Sequence, residues 1–276
     1  MDRLTSIREL DVHWEGILAL DVKHANLEDD FRFERAIRFL SLSQQARIHQ
    51  LKTVQGKFTA VCNRLLQLFG CSIASGVEIG ETLFEYGNYG KPRLKNCPQI
   101  SFSMSNGRDY VVQYICRRNH GNCPELGVDI ASKDDYLGDQ DLEAFCEVFS
   151  EKEYEYLRSL DDCTRRSAFA FYWSLKESYT KYTGLGLNCD LSKLDYGEMQ
   201  VPEVGNGSQR VIHKHAMLFY SMWIPHGGNE IITVCREDDL KKPMLSRWLK
   251  SGPPVYTLTL DDIIEFLDSR GPLRPG

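Results

Sequence analysis

The 276-residue chain has room for one large or two small domains. Its 42% hydrophobic and 26% charged fractions bury a real core and exclude disordered, collagen-like and coiled-coil readings. With 33 basic and 39 acidic side chains the net charge is −6, which argues against duplex nucleic acid as the main partner, although a local basic pocket for a small phosphorylated ligand is compatible with it.

The N-terminus lacks an apolar signal core, because Asp2, Arg3, Arg8, Glu9 and Asp11 interrupt it. The longest stretch without Asp, Glu, Lys or Arg, His215 to Asn229, is 15 residues long. A membrane-spanning helix needs roughly 20 mostly apolar residues, so none is expected. The nine cysteines are scattered without a CxxC pair and read as reduced cytosolic thiols, mostly core fillers, with neither a zinc site nor a disulfide framework.

Along the chain, Leu42 to Leu51 reads as a charged helix, and Gly56 to Phe69 as a second. Tyr89-Gly90-Lys91-Pro92-Arg93 is a basic loop, in which a cation beside exposed backbone N–H groups suits a phosphate. A β-hairpin is expected from Ile100–Met104, a turn at Asn106-Gly107, and Tyr110–Cys116. Glu125-Leu126-Gly127-Val128-Asp129-Ile130 reads as a short buried strand that presents one carboxylate on the face opposite Val128 and Ile130. Phe149-Ser150-Glu151-Lys152 opens a helix to Leu160, and Arg165 to Tyr182 forms another, ended by Gly184-Leu185-Gly186. His213-Lys214-His215, as alternating strand residues with no third ligand nearby, reads as polar surface rather than a metal pair. A second hairpin is expected from Ala216–Ile224, a turn at Gly227-Gly228-Asn229, and Ile231–Cys235. Gly271 to Gly276 reads as a frayed end.

The order helix, helix, hairpin therefore occurs twice, at a spacing of about 107 residues. It is either a coincidence between two α+β halves or a duplicated unit forming two pseudo-symmetric lobes, with a ligand cleft between them near residues 120–130.

In the helix after Arg165, Trp173, Glu177 and Lys181 are successive i, i+4 neighbours on one stripe. A surface Glu–Lys pair is the ordinary reading of such spacing. Here the pair continues an aromatic face that should point inward, and a buried carboxylate needs a metal ion or second charge. Asp129 and Glu177, from different elements, together make a minimal Mg²⁺ site. Neither GxxxxGK[ST] nor GxGxxG is present.

Gly127-Val128-Asp129 and, about 45 residues on, Trp173-Ser174-Leu175-Lys176-Glu177-Ser178-Tyr179-Thr180-Lys181 resemble a paired signature, G-[IV]-D and W-x-x-K-E-[AS]-x-x-K. It belongs to 4′-phosphopantetheinyl transferases of the large, surfactin-synthetase-activating type. Tyr89-Gly90-Lys91-Pro92 resembles their G-K-P segment, and Phe102-Ser103-Met104-Ser105-Asn106 their F-N-x-S-H strand. Val148-Phe149-Ser150 with Glu153 is similar to their stretch upstream of the second signature, and Leu65–Ser72 and Ile130-Ala131-Ser132 bring the likeness closest to fungal lysine-pathway enzymes.

The resemblance implies an α+β fold of two lobes related by pseudo-twofold symmetry, the active site in the cleft between them. It divides the chain into residues 1–124, with the coenzyme A nucleotide contacts, and 125–276, with the metal and catalytic residues. It implies a cytoplasmic, monomeric transferase that moves the phosphopantetheine arm of coenzyme A to a serine of an apo-carrier domain, releasing adenosine 3′,5′-bisphosphate. The carrier would be that of α-aminoadipate reductase in lysine biosynthesis, with neither nucleic acid nor membrane as partner. Asp129 and Glu177 would hold Mg²⁺, Glu177 would also activate the acceptor serine, and Lys181 would bind a pyrophosphate oxygen. Gly90, Lys91, Ser103, Met104, Ser105 and Asn106 would contact the coenzyme A nucleotide, with Arg47 a further contact.

Two positions depart from the pattern. The family histidine is Asn106 here, leaving Lys91, Arg93 or Arg108 to compensate at the 3′-phosphate, and the second acid of bacterial relatives is Ala131, leaving a water to complete the metal shell. Two alternatives remain open at this level: a non-catalytic coenzyme A-binding regulatory protein, and a Mg²⁺-dependent phosphoanhydride hydrolase. Incubation with coenzyme A and Mg²⁺, with and without an apo-carrier, separates all three.

Overall fold

Apolar runs bounded by polar turns decide where the sheets form. The computed structural model describes residues 13–225 and 228–269; the N-terminal acidic and basic residues noted above, Gly227 of the second expected turn and the Gly271–Gly276 end lie outside them. The chain divides into two compact units.

In the first unit, strand β1 (Trp14–Asp21) is buried on both faces and reads as a continuous apolar run. Helices α1 (Asp30–Ile37), α2 (Leu42–His49) and α3 (Val54–Ser75) follow. Thr53 caps α3 by accepting from the Gly56 N–H, and Gly76 ends it at φ 73°, a left-handed conformation that costs glycine little. A short ladder joins β2 (Phe84–Tyr86) to β3 (Pro92–Leu94). The hairpin of β4 (Ile100–Asn106) and β5 (Tyr110–Arg117) then pairs antiparallel with β1. After the second unit the chain returns as β10 (Val255–Leu258) and α8 (Leu260–Asp268). β10 pairs parallel with β1, giving the sheet order β10-β1-β5-β4. One continuous core joins β1, α3 and α8, with Leu18, Phe69 and Phe266 among its buried residues.

In the second unit, β6 (Leu126–Ser132) is buried throughout. Helices α4 (Asp139–Ala144), α5 (Glu151–Ser159) and α6 (Asp162–Thr183) lead to strands β7 (Gly205–Ile212), β8 (His215–Trp223) and β9 (Glu230–Glu237), and then α7 (Lys242–Ser251). The sheet is antiparallel in the order β6-β9-β8-β7. Asp161 caps α6 by accepting from the Thr164 N–H, and Gly184 at φ 70° stops it. α6 lies so close to β6 that a Cβ on Gly127 would stand 1.9 Å from the Ser178 carbonyl oxygen. Only glycine fits there.

The helix–helix–hairpin order thus recurs in both units, as expected. A simple division after residue 124 does not describe the units, however. Residues from Pro254 on belong with the first, because β10 adds to the β1 edge. Gly87–Lys91 belongs with the second, where the Lys91 ammonium donates to the Leu126 and Tyr182 carbonyls. His213-Lys214 is also not strand: with φ 49° and 72° it forms the turn joining β7 to β8, and His215 opens β8 with Nδ1 3.0 Å from Glu237 Oε1. Among the described residues, no helix is long and apolar enough to cross a membrane. All nine cysteines are free; Cys62, Cys71, Cys116 and Cys235 are buried, whereas Cys146 and Cys163 are exposed rather than core.

Candidate active site

Strand alternation turns Asp129 of β6 towards α6, where it is 4% exposed. A carboxylate that deep needs compensation, and the Lys181 ammonium, in the last turn of α6, lies 2.7 Å from Asp129 Oδ1. Glu177 stands one turn before Lys181 and is half-buried. Its carboxyl is held above the ordinary carboxylate range, chiefly by burial and then by the negative charge of Asp129; Lys181 and a hydrogen bond from Thr180 pull the other way. Two carboxylates and one ammonium therefore converge within the second unit, as the sequence led one to expect.

The aromatic stripe below them is core. Trp173 stacks on Phe169 and meets Phe145 edge-on, at centroid distances of 6.3 and 5.1 Å. This packing fixes the rotation of α6 about its axis and hence the direction of Glu177 and Lys181.

One device was not visible in the sequence. Lys176, adjacent to Glu177, is completely buried, as is Glu153 of α5, and their charged atoms lie 2.8 Å apart. The Lys176 ammonium also donates to the Leu191 and Leu194 carbonyls. Glu153 accepts from the Ser150 and Tyr196 N–H groups. Burial pulls the Lys176 pKa down, while the neighbouring Glu153 opposes that fall. The only signal available was the co-occurrence of Ser150, Glu153 and Lys176 in the two signature stretches.

The other expected contacts fall elsewhere. The Lys91 ammonium, placed on a phosphate by the resemblance, donates to Glu125 Oε2 and the Leu126 and Tyr182 carbonyls at 2.8, 2.9 and 3.0 Å. These three acceptors match its three donors and pin the Gly87–Lys91 loop to β6 and the end of α6. Gly90, at φ 84°, has nothing within 4 Å of a virtual Cβ and leaves the backbone approachable. In the first unit, Ser103 and Ser105 are buried on one face of β4. Met104 on the other face packs against the hydrophobic core. Asn106 is exposed at the end of β4 and accepts a hydrogen bond from the Asn63 side chain. Arg47 is exposed in the last turn of α2. Ala131, where bacterial relatives carry a second acid, is buried in the second unit's core.

The sequence profile of the 4′-phosphopantetheinyl transferase superfamily matches residues 125–235. The chain is 38% identical, over 92% of its length and 90% of the relative's, to an L-aminoadipate-semialdehyde dehydrogenase-phosphopantetheinyl transferase of Saccharomyces cerevisiae. It is 36% identical to the protein of the same name in Candida glabrata, over 83% of the chain and 86% of the relative. To the 4′-phosphopantetheinyl transferase HetI of a Nostoc species it is 33% identical, over 48% and 53%.

Proposed function

The chain belongs to the 4′-phosphopantetheinyl transferase superfamily, and from that premise we propose how its residues carry the reaction. The protein is a transferase that moves the phosphopantetheine arm of coenzyme A to an apo-carrier protein. The observation that carries the site assignment is the meeting of Asp129, Glu177 and Lys181, with Lys181 2.7 Å from Asp129 and the Glu177 carboxyl raised by burial and the Asp129 charge.

In the transfer, a bond forms from the carrier serine oxygen to the phosphorus that bears the pantetheine arm. The phosphoanhydride bond breaks, and adenosine 3′,5′-bisphosphate leaves with the bonding electrons. Glu177, which faces Asp129 and Lys181, accepts the serine proton. Lys181 donates to a pyrophosphate oxygen, where charge builds in the transition state, and Asp129 aims that ammonium.

Two carboxylates and one ammonium leave the trio with a formal charge of −1, unfavourable for an incoming pyrophosphate, so a further cation fits. Asp129 and Glu177 are hard oxygen donors of the kind Mg²⁺ takes, and they would hold it. Bound there, it neutralises charge on the pyrophosphate oxygens.

For the nucleotide of coenzyme A, Arg47 offers an exposed guanidinium, Asn106 an exposed amide at the end of β4, and Gly90 an approachable backbone. Ser103, Met104 and Ser105 contribute through the β4 strand rather than through exposed side chains. Lys91 contributes by shaping the loop that carries Gly90. The acceptor is the carrier domain of an α-aminoadipate reductase, a reading supported by what the fungal relatives are named for. The protein is read as a cytoplasmic monomer whose free cysteines suit a reducing compartment.

The test is an incubation with coenzyme A, Mg²⁺ and the apo-carrier domain, followed by intact-mass measurement of the carrier. The reading requires the carrier to gain the mass of the arm only when all three are present. Bisphosphate release without carrier would mean hydrolysis instead.

A further inference from the structure

The antiparallel pairing of β1 with β5 sets Glu15 directly opposite Cys116. His13, two residues before Glu15, joins them: one ligand atom from each of His13, Glu15 and Cys116 lies within 4.8 Å of the other two. A fourth candidate donor stands beside one member of this trio, Cys116. The segment after β5 folds back, held by the Cys123 N–H on the Pro98 carbonyl, and brings Cys123 Sγ to 3.5 Å from Cys116 Sγ. All four belong to the first unit, whereas Asp129, Glu177 and Lys181 belong to the second.

We propose that His13, Glu15, Cys116 and Cys123 form a structural zinc site. Sulfur and imidazole donors select a borderline-soft ion such as Zn²⁺, whereas Mg²⁺ takes oxygen ligands. Three donors already converge; with Cys123 turned in from its place beside Cys116, four protein donors would close the coordination shell, the mark of a structural rather than catalytic site. With Zn–S bonds of about 2.3 Å in a tetrahedron, the two sulfurs would stand about 3.7 Å apart, close to where they already lie. The Tyr114 hydroxyl donates to Glu15 Oε1, the kind of outer hydrogen bond that orients a ligating carboxylate. The Cys123 thiol now donates to the Cys116 carbonyl at 3.2 Å; on metal binding it gives up that proton, so binding strengthens as pH rises. The ion would staple the start of β1 to the end of β5 and to Cys123, after which the chain leaves the first unit.

The experiment uses the full-length protein, purified under reductant without chelator and analysed for metal by plasma mass spectrometry. About one equivalent of zinc per chain is expected. Replacement by Co²⁺ should give thiolate-to-cobalt charge-transfer absorption, and a zinc chelator should lower the Tm. Cys116 is fully buried and its loss risks the fold, so Cys123→Ser and His13→Ala are the informative variants, with circular dichroism as the folding control. Each should weaken zinc affinity at least about tenfold. Asp129→Asn should retain zinc fully, which separates this ion from the one at the active site. Zinc well below one equivalent, a cobalt spectrum without charge transfer, or a Cys116–Cys123 disulfide found by peptide mapping of the reductant-purified protein would each overturn the proposal.

Discussion

The two units use the same helix-on-sheet plan, and the contrast lies in what occupies matching positions. α3 and α6 are both 22 residues long, both capped by a side-chain oxygen and both stopped by a left-handed glycine. Counted from the first helical residue, Phe69 holds the place of Glu177, and Ile73 that of Lys181. In the sheets, Leu18 pairs with Gln113, fourth in β5, and Asp129 pairs with Thr233, fourth in β9. Leu18, Phe69 and Ile73 are all buried, and full burial of such side chains contributes about 1.5–3 kcal/mol each. The second unit gives that up for Asp129, Glu177 and Lys181. One unit fills these places with apolar core, the other with two carboxylates and an ammonium.

The sharpest way to break the contrast is to make the second unit resemble the first. Lys181→Met restores an apolar side chain where Ile73 stands and should lower kcat/KM for coenzyme A about 10²–10³-fold, the usual loss of one transition-state donor. Steady-state kinetics check this, with circular dichroism to show that Asp129, stripped of its cation, has not unfolded the unit.

Next in size is the buried pair beneath the site. Glu153→Gln leaves the Lys176 charge buried without its partner and should cost about 3–5 kcal/mol in urea unfolding. The double variant Glu153→Gln/Lys176→Met, in which matching position 176 becomes apolar as Leu68 is in α3, should recover part of that loss. A double variant no better than Glu153→Gln would show that the pair does more than balance its own charges.

The close helix–sheet contacts should respond unequally. A Cβ on Gly127 meets the fixed Ser178 carbonyl at 1.9 Å, whereas one on Gly70 first meets the Gln113 side-chain oxygen, which can move. Gly127→Ala should cost about 1–3 kcal/mol and Gly70→Ala less, a difference that denaturant midpoints resolve.

The smallest effect concerns pH. The Glu177 carboxyl is raised in the folded protein, so the folded state binds more protons than the unfolded one, and stability falls as pH rises from the ordinary carboxylate value through the raised one. Glu177→Gln removes that fall. Without added metal, the variant should be more stable than the parent at neutral pH by less than about 1 kcal/mol, because solvent screens a half-exposed group. Thermal melts at two pH values check the sign.

Much of this was legible in the chain because it is local. The 3.6-residue period of Arg165–Tyr182, the buried run around Asp129 and the Gly-containing turn of the first hairpin each depend on neighbours a few residues apart. What escaped depends on distant pairings. The four-residue strand β10 is defined only by β1, from which it is separated by almost the whole chain. Lys176 finds Glu153, and Lys91 finds Tyr182, only after folding. The His213-Lys214 turn lacks the Gly, Asn or Asp that normally marks left-handed residues, so it passed as strand. The His13, Glu15, Cys116 and Cys123 group likewise has no spacing that sequence alone would single out.

In the proposed reaction Glu177 is both a charge of the site and the acceptor of the serine proton. The most direct measurement is an intact-mass time course of the apo-carrier with the parent protein and with Glu177→Gln, at saturating coenzyme A and Mg²⁺, with coenzyme A binding measured in parallel. The predicted result is coenzyme A binding within a few-fold of the parent and a rate of arm transfer lower by about 10²–10⁴-fold. Transfer at near-parental rate would contradict it.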